Sequence, residues 1–158
     1  MKTYNPGTHL GLLLTRIALG LYLLLAGWGK LMGEFSNGFG SFYAGGFTKM
    51  SPDWLPLWFG KPYGYALPWL EVLVGAMLIL GLLTRFFSAG GFLMLASFTA
   101  VKVISADHIT GIGENEQGVF TPNYIMTVVY FLLIFTGAGA LSLDRLFFGK
   151  RKDVEDEE

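Results

Sequence analysis

Residues Leu67 to Arg85 read LPWLEVLVGAMLILGLLTR, an apolar run broken by a single carboxylate, Glu71, and closed by a cation, Arg85. A helix rising about 1.5 Å per residue needs roughly 20 residues to cross about 30 Å of hydrocarbon, so this stretch predicts a membrane span. In lipid the backbone must satisfy its own hydrogen bonds, which makes the span a helix rather than an isolated strand. Composition agrees: of 158 residues, 53% are hydrophobic and 15% charged, against about 25% charged in a soluble domain, and mean hydropathy is +0.50.

Three more apolar runs accompany it, and the four predicted helices cover about 10–32, 66–83, 86–105 and 124–141. Pro68 suits the first turn of the second helix, and Thr121-Pro122-Asn123 opens the fourth. Thr84-Arg85 leaves room only for a tight turn, so the second and third helices form an antiparallel hairpin. The predicted fold is all-α: an integral membrane four-helix bundle in one domain over residues 1–149, with a charged, solvated tail over 150–158. The N-terminal run reads as a retained helix rather than a signal peptide. Arg16 interrupts it, and no small-x-small cleavage site precedes a polar start.

The connections differ in kind. Residues 33–65 are rich in Gly, Pro and aromatics without a sustained period, and Trp54, Trp58, Tyr63, Tyr65 and Trp69 are of the types that settle at headgroup level. They predict a long aromatic loop on the outer membrane surface. Residues 106–120 form a shorter, acidic outer loop. Placing both termini in the cytoplasm collects Lys2, Arg85, Arg145, Lys150, Arg151 and Lys152 on the inner face and leaves only Lys49 and Lys61 in the outer loops. That asymmetry is the one the positive-inside rule demands.

Several functions are excluded or disfavoured at once. With no cysteine there is no thiol exchange, thiolate metal site, Fe-S cluster or covalent haem. The net charge of -1 gives no reason to expect a nucleic-acid partner. His9 and His108 fall at opposite ends of the predicted bundle, which disfavours a bis-histidine haem. His108, Asp107, Glu114 and Glu116 have no standard ligand spacing, so no metal site is predicted and a solvated acidic loop is the better reading. Gly-x-Gly matches such as Gly111 to Gly113 lack the strand and helix of a nucleotide fingerprint.

What remains is a set of charges inside the spans. Lys30, Glu71 and Lys102 come from three different helices yet fall within roughly 5 Å of one depth, near the outer face. On the first helix Arg16, Gly20, Gly27 and Lys30 share about 80° of arc at roughly 100° per residue. On the second, Glu71 and Gly75 lie one turn apart. Glycines on both faces allow the two backbones to approach, which brings Lys30 within reach of Glu71. A charge at a helix centre costs about 2.5 to 3.5 kcal/mol on the insertion scale, so Glu71 requires a lysine or a proton. Two readings stay open: inter-helix glue with snorkelling lysines, or a pocket for a polar or quinone-like head group. Arg16 lies deeper and needs an internal partner or a lipid phosphate. Asn123, Thr127 and Tyr130 form a polar stripe on the fourth helix, expected to hydrogen-bond a neighbouring helix.

LLLTRIALGLYLLLAGWGKL (12–31), PWLEVLVGAMLILGLLTRFFSAGG (68–91) and GALSLDRLFFG (139–149) resemble the DoxX family of small four-helix bacterial membrane proteins. The matching positions are Arg16, Gly27, Lys30, Glu71, Gly81, Thr84, Arg85 and Asp144; many members carry a histidine where this chain has Ala26. The resemblance implies a multi-pass protein of the bacterial inner membrane, related to the membrane subunit of a thiosulfate:quinone oxidoreductase. It also implies partner subunits in a redox complex and quinone as the cofactor. On that expectation Glu71 and Lys30 carry the chemistry, and Lys30, Glu71, Lys102 and Arg16 bind the cofactor. The residues leave open whether the chain is an enzyme subunit or a non-catalytic assembly or anchoring subunit. A small-solute transporter is the third reading, without a broken helix pair or inverted repeat to favour it.

Overall fold

The structure is a computed structural model, and it describes residues 6–105 and 122–144, with side chains from 102 to 105 excepted. Helix α1 runs Pro6–Asn37, α3 Leu57–Leu80, α4 Thr84–Ser105 and α5 Pro122–Thr136. Between α1 and α3 lie a π-helical segment, Tyr43–Phe47, and the short α2, Thr48–Met50. Helices α1, α3 and α4 are each long and apolar enough to cross a membrane, and α5 is apolar but shorter. Large side chains face outward all around: Leu14, Leu25, Leu73, Leu93 and Phe131 are all exposed. In water that surface would aggregate; in lipid it is the solvent-facing one. The chain is a multi-pass helical membrane protein.

Glycine sets the closest helix contact. A Cβ built on Gly75 would lie 2.6 Å from both the Gly20 carbonyl oxygen and the Leu24 amide nitrogen, and one on Gly20 would lie 2.8 Å from the Gly75 carbonyl oxygen. Helices α1 and α3 therefore touch backbone to backbone, along the two faces the spacing of small residues predicts. On the other side of the bundle, Gly91 of α4 accepts the ring of Tyr130, whose Cε1 would lie 2.6 Å from an added Cβ. The Tyr130 hydroxyl crosses to α1 and donates to the Leu19 carbonyl at 2.9 Å. Leu19, Leu23, Leu67, Leu78, Leu95 and Leu133 fill the space between.

The α3–α4 turn is as tight as expected. Gly81 closes α3 at φ 69°, where its amide and that of Leu82 return to the Leu78 and Met77 carbonyls. This left-handed cap is one that glycine adopts without strain.

Several boundaries depart from the sequence reading, beginning with α1, which runs Pro6–Asn37 rather than 10–32. Helix α3 begins at Leu57, not near Ala66, and carries both Pro62 and Pro68 in its interior. Its first turn is anchored by the Pro56 carbonyl, which accepts from Phe59 and Gly60. The expected aromatic loop is largely helical. Gly60 and Gly64 leave one side of α3 bare, and the Tyr43 and Phe47 rings press onto it, at 2.7 and 2.8 Å from a Cβ built on Gly64. Ring stacking then organises a cap: Tyr43 on Tyr65 at 4.9 Å, and Phe59 on Tyr63 at 5.5 Å. Glu34 ties the cap to the end of α1 by accepting from the Gly40 and Phe42 amides. Finally, α5 stops at Thr136 rather than Leu141, because Gly137 and Gly139 turn to φ 73° and 76°. The acidic 106–120 segment, with Asp107, His108, Glu114 and Glu116, and the charged tail lie outside the described residues.

Candidate functional site

The close approach of α1 and α3 dictates the site. A Cβ on Gly27 would meet the Glu71 Cβ and the Pro68 carbonyl, each at 2.8 Å, so Glu71 lies along the surface of α1. One turn further along α1 stands Lys30. Its ammonium donates to both carboxylate oxygens of Glu71. Glu71 is buried, whereas the lysine side chain remains 25% exposed. The ammonium also lies 5.2 Å from the Phe42 ring centroid and 5.8 Å from that of Phe98, so two aromatic faces flank the charge.

Lys30 and Glu71 stand on the wall of a cavity of about 1000 Å³. Its inner walls include Tyr22, Ala26, Leu67, Leu95 and Phe98, and Tyr63, Ser97 and Asn123 add polar atoms. The cap supplies the rest, with Phe42, Phe47, Met50, Trp54 and Phe59. The cavity is therefore roofed by the segment that the sequence reading leaves as a surface loop. That volume is at the upper end of the roughly 300 to 1,000 Å³ usual for ligand sites.

An ammonium has three N–H groups, and two are committed to Glu71. The third has no hydrogen-bond partner among the described residues. Opposite in kind is the Tyr22–Asn123 pair, in which the tyrosine hydroxyl donates to the Asn123 side-chain oxygen across α1 and α5. Thr127 of the predicted polar stripe turns back on its own helix and donates to the Asn123 carbonyl at 2.7 Å. Thus Asn123 and Tyr130 bond across helices, and Thr127 does not.

Arg16 does not join this site. It lies about 21 Å from Lys30 along α1 at about 1.5 Å per residue and is absent from the cavity wall. Its buried guanidinium donates to the Ala138 and Leu141 carbonyls at 2.8 and 2.9 Å. Those carbonyls belong to the chain that unwinds after α5, so the partner is internal backbone and not a lipid phosphate. Gly81 lies against the same guanidinium, 2.6 Å from an added Cβ. Asp144 completes the knot: its carboxylate accepts from the Leu83 and Thr84 amides at the start of α4, and its own amide donates to the Gly81 carbonyl at 2.9 Å. His9 Nδ1 accepts from the Ala140 amide at 3.1 Å, and Arg85 lies beside Gly137. The expectation that Arg16 shares a pocket with Lys30 is thereby corrected. Lys102 is in the last turn of α4, but its side chain lies outside the described residues.

The sequence reading misses Tyr22, Tyr63 and the cap. A signal for the tyrosines was present: each precedes a site residue by eight positions, Tyr22 before Lys30 and Tyr63 before Glu71. Eight residues return to within about 80° on a helix, the same broad face.

Comparison with known families bears on the whole of this arrangement. A family model described as DoxX matches residues 11–105, taking in Arg16, Lys30 and Glu71. The chain belongs to the DoxX family. A second model, described as the TQO small subunit DoxD, matches residues 66–158, from the span of Glu71 through the Asp144 knot. The protein is thus a DoxX-family membrane protein related to a thiosulfate:quinone oxidoreductase subunit. No curated protein and no solved structure matches the chain. The DoxX-like positions fall into two groups: Arg16, Gly81, Thr84, Arg85 and Asp144 gather at one end of the bundle, Gly27, Lys30 and Glu71 at the other.

Proposed function

We propose that this DoxX-family protein is the membrane subunit of a quinone-linked oxidoreductase, and that Lys30 and Glu71 form its head-group site. The observation that carries the reading is a charged pair on the wall of a large, mostly apolar cavity. A pair serving only as glue has no need of a cavity beside it. The lining fits a quinone: Lys30 retains an N–H donor for a ring oxygen, Phe42 and Phe98 flank that position, and the apolar roof accommodates a tail. When bound, a quinone supplies an acceptor of electrons and protons. Glu71 takes or gives a proton at a carboxylate oxygen, and Lys30 holds the oxygen nearest it. Without a thiol, the chain relies on a partner subunit to deliver electrons. The Lys and Arg distribution supports a cytoplasmic Arg85 end with the cavity on the outer side, and the DoxX relation supports a bacterial inner membrane as the site.

Binding of a short-chain quinone analogue to the purified protein tests this. Saturable binding is expected, weakened at least about tenfold by Glu71→Gln or Lys30→Ala, in line with loss of a charge-assisted hydrogen bond. No saturable binding, or variants that bind as the wild type does, overturns it. A second reading, an assembly subunit, draws on the exposed Phe39, Trp54, Leu57 and Trp58 at the cap. Stoichiometric co-purification of partners that survives loss of Lys30 and Glu71, with no quinone bound, favours that reading instead.

A further inference from the structure

We infer that Tyr22 and Asn123 form a second polar pole of the same cavity, so that the ligand is a flat ring with a hydrogen-bonding oxygen at each of two ends. This rests on the quinone reading and narrows it to para-dicarbonyl rings and their dihydroxy forms. The argument begins with the fixed direction of the Tyr22–Asn123 bond. The tyrosine proton is committed to the Asn123 side-chain oxygen. That commitment sets the amide's orientation and leaves its NH2 group as the free edge. The amide nitrogen has no hydrogen-bond partner among the described residues, and Asn123 is only part-buried. Both residues line the cavity, as do Lys30 and Glu71.

The two poles are separated along the bundle. Tyr22 and Lys30 are both on α1, about 12 Å apart along the axis at about 1.5 Å per residue. Their side chains converge on one cavity from those two levels. Between them on α1 the cavity is lined by Leu23 and Ala26, apolar positions that offer a ring no competing hydrogen bond. Ala26, one turn from each, matters by its size: a methyl group keeps the space between the poles open. One pole is charged and both donates and accepts; the other is neutral, with an amide donor and a tyrosine oxygen that still has lone pairs. A ring with a single oxygen satisfies one pole and leaves the other unpaired. A ring with oxygens on opposite sides satisfies both. The asymmetry also orients the ring, because the charged pole takes the oxygen on which negative charge develops.

Binding of two analogues to the purified full-length protein tests the inference: a short-chain para-benzoquinone and a same-sized ring carrying one carbonyl. The wild type is expected to prefer the dicarbonyl. Tyr22→Phe and Asn123→Ala are each expected to weaken dicarbonyl binding roughly 3- to 10-fold, the range for one neutral hydrogen bond, while leaving the monocarbonyl unchanged. Lys30→Ala weakens both. Thermal unfolding of each variant confirms that α1 and α5 still pack. If Tyr22→Phe and Asn123→Ala bind both rings as the wild type does, or lose both equally, the second pole is refuted while the quinone site stands. If the wild type binds neither ring, both proposals fall together.

Discussion

Gly27 has no side chain because Glu71 occupies the place where one would be: their Cβ positions would stand 2.8 Å apart. A glycine on one helix is thus the condition for a buried carboxylate on another. The close approach recurs about two turns inward along α1, where Gly20 and Gly75 meet backbone to backbone.

Gly75→Ala is therefore expected to destabilise the bundle by about 1 to 3 kcal/mol, the usual range for overpacking. Gly29→Ala, on the facing helix α1 with nothing within 4 Å of its added Cβ, is expected to be neutral or mildly stabilising. Thermal unfolding in detergent compares the two, and equal behaviour would contradict the packing.

Lys30 and Glu71 are expected to be strongly coupled. Removing either partner leaves a buried or half-buried charge without its counterion, which costs about 3 to 5 kcal/mol at buried pairs. The double replacement Lys30→Met with Glu71→Leu is expected to recover much of that loss while abolishing quinone-analogue binding. Additive losses in the double-mutant cycle would show that the pair does not form.

At the opposite end, Gly81→Ala combines a left-handed φ with a clash on the Arg16 guanidinium. It is expected to reduce folded yield severely, whereas Gly90→Ala, whose added Cβ finds its nearest neighbour at 3.8 Å, is tolerated. Arg16→Lys shortens the reach and loses the fork that holds two carbonyls, so it resembles Arg16→Ala more than wild type. Size-exclusion profiles of the four variants decide this.

Asp144→Ala removes the carboxylate that caps α4 from another part of the chain. A loss of about 1 kcal/mol is expected, as for other N-caps, with faster hydrogen exchange at the Leu83 and Thr84 amides. Quinone-analogue affinity should not change, since Asp144 belongs to the knot and not to the cavity. A change in affinity would link the two ends.

How much of this was legible in the chain depends on the range of the interaction. The membrane spans, the α3–α4 hairpin and the glycine faces follow from residues within a few turns of one another, where helical spacing fixes which groups share a side. Even the Lys30–Glu71 pair is readable this way: phase and depth on two helices leave the ion pair few alternatives. Helix ends were less legible. Pro68 reads as a first-turn residue, yet the helix starts eleven positions earlier and runs through Pro62 as well, because the Pro56 carbonyl and the packed rings of Tyr43, Phe47 and Tyr63 hold its first turns.

By itself, then, the sequence determined that this is an α-helical membrane protein of the DoxX kind, with two small-residue faces and a carboxylate that had to be paired. Only the tertiary structure decided that residues 41–59 roof a cavity, that Tyr22 meets Asn123, and that Arg16 is spent on the Ala138 and Leu141 carbonyls. The reason is physical. Those partners lie 101 to 125 positions apart, and backbone carbonyls or ring faces carry no sequence signature of who will claim them. Helical periodicity reports which side of a helix a residue occupies; what stands on that side is set by packing.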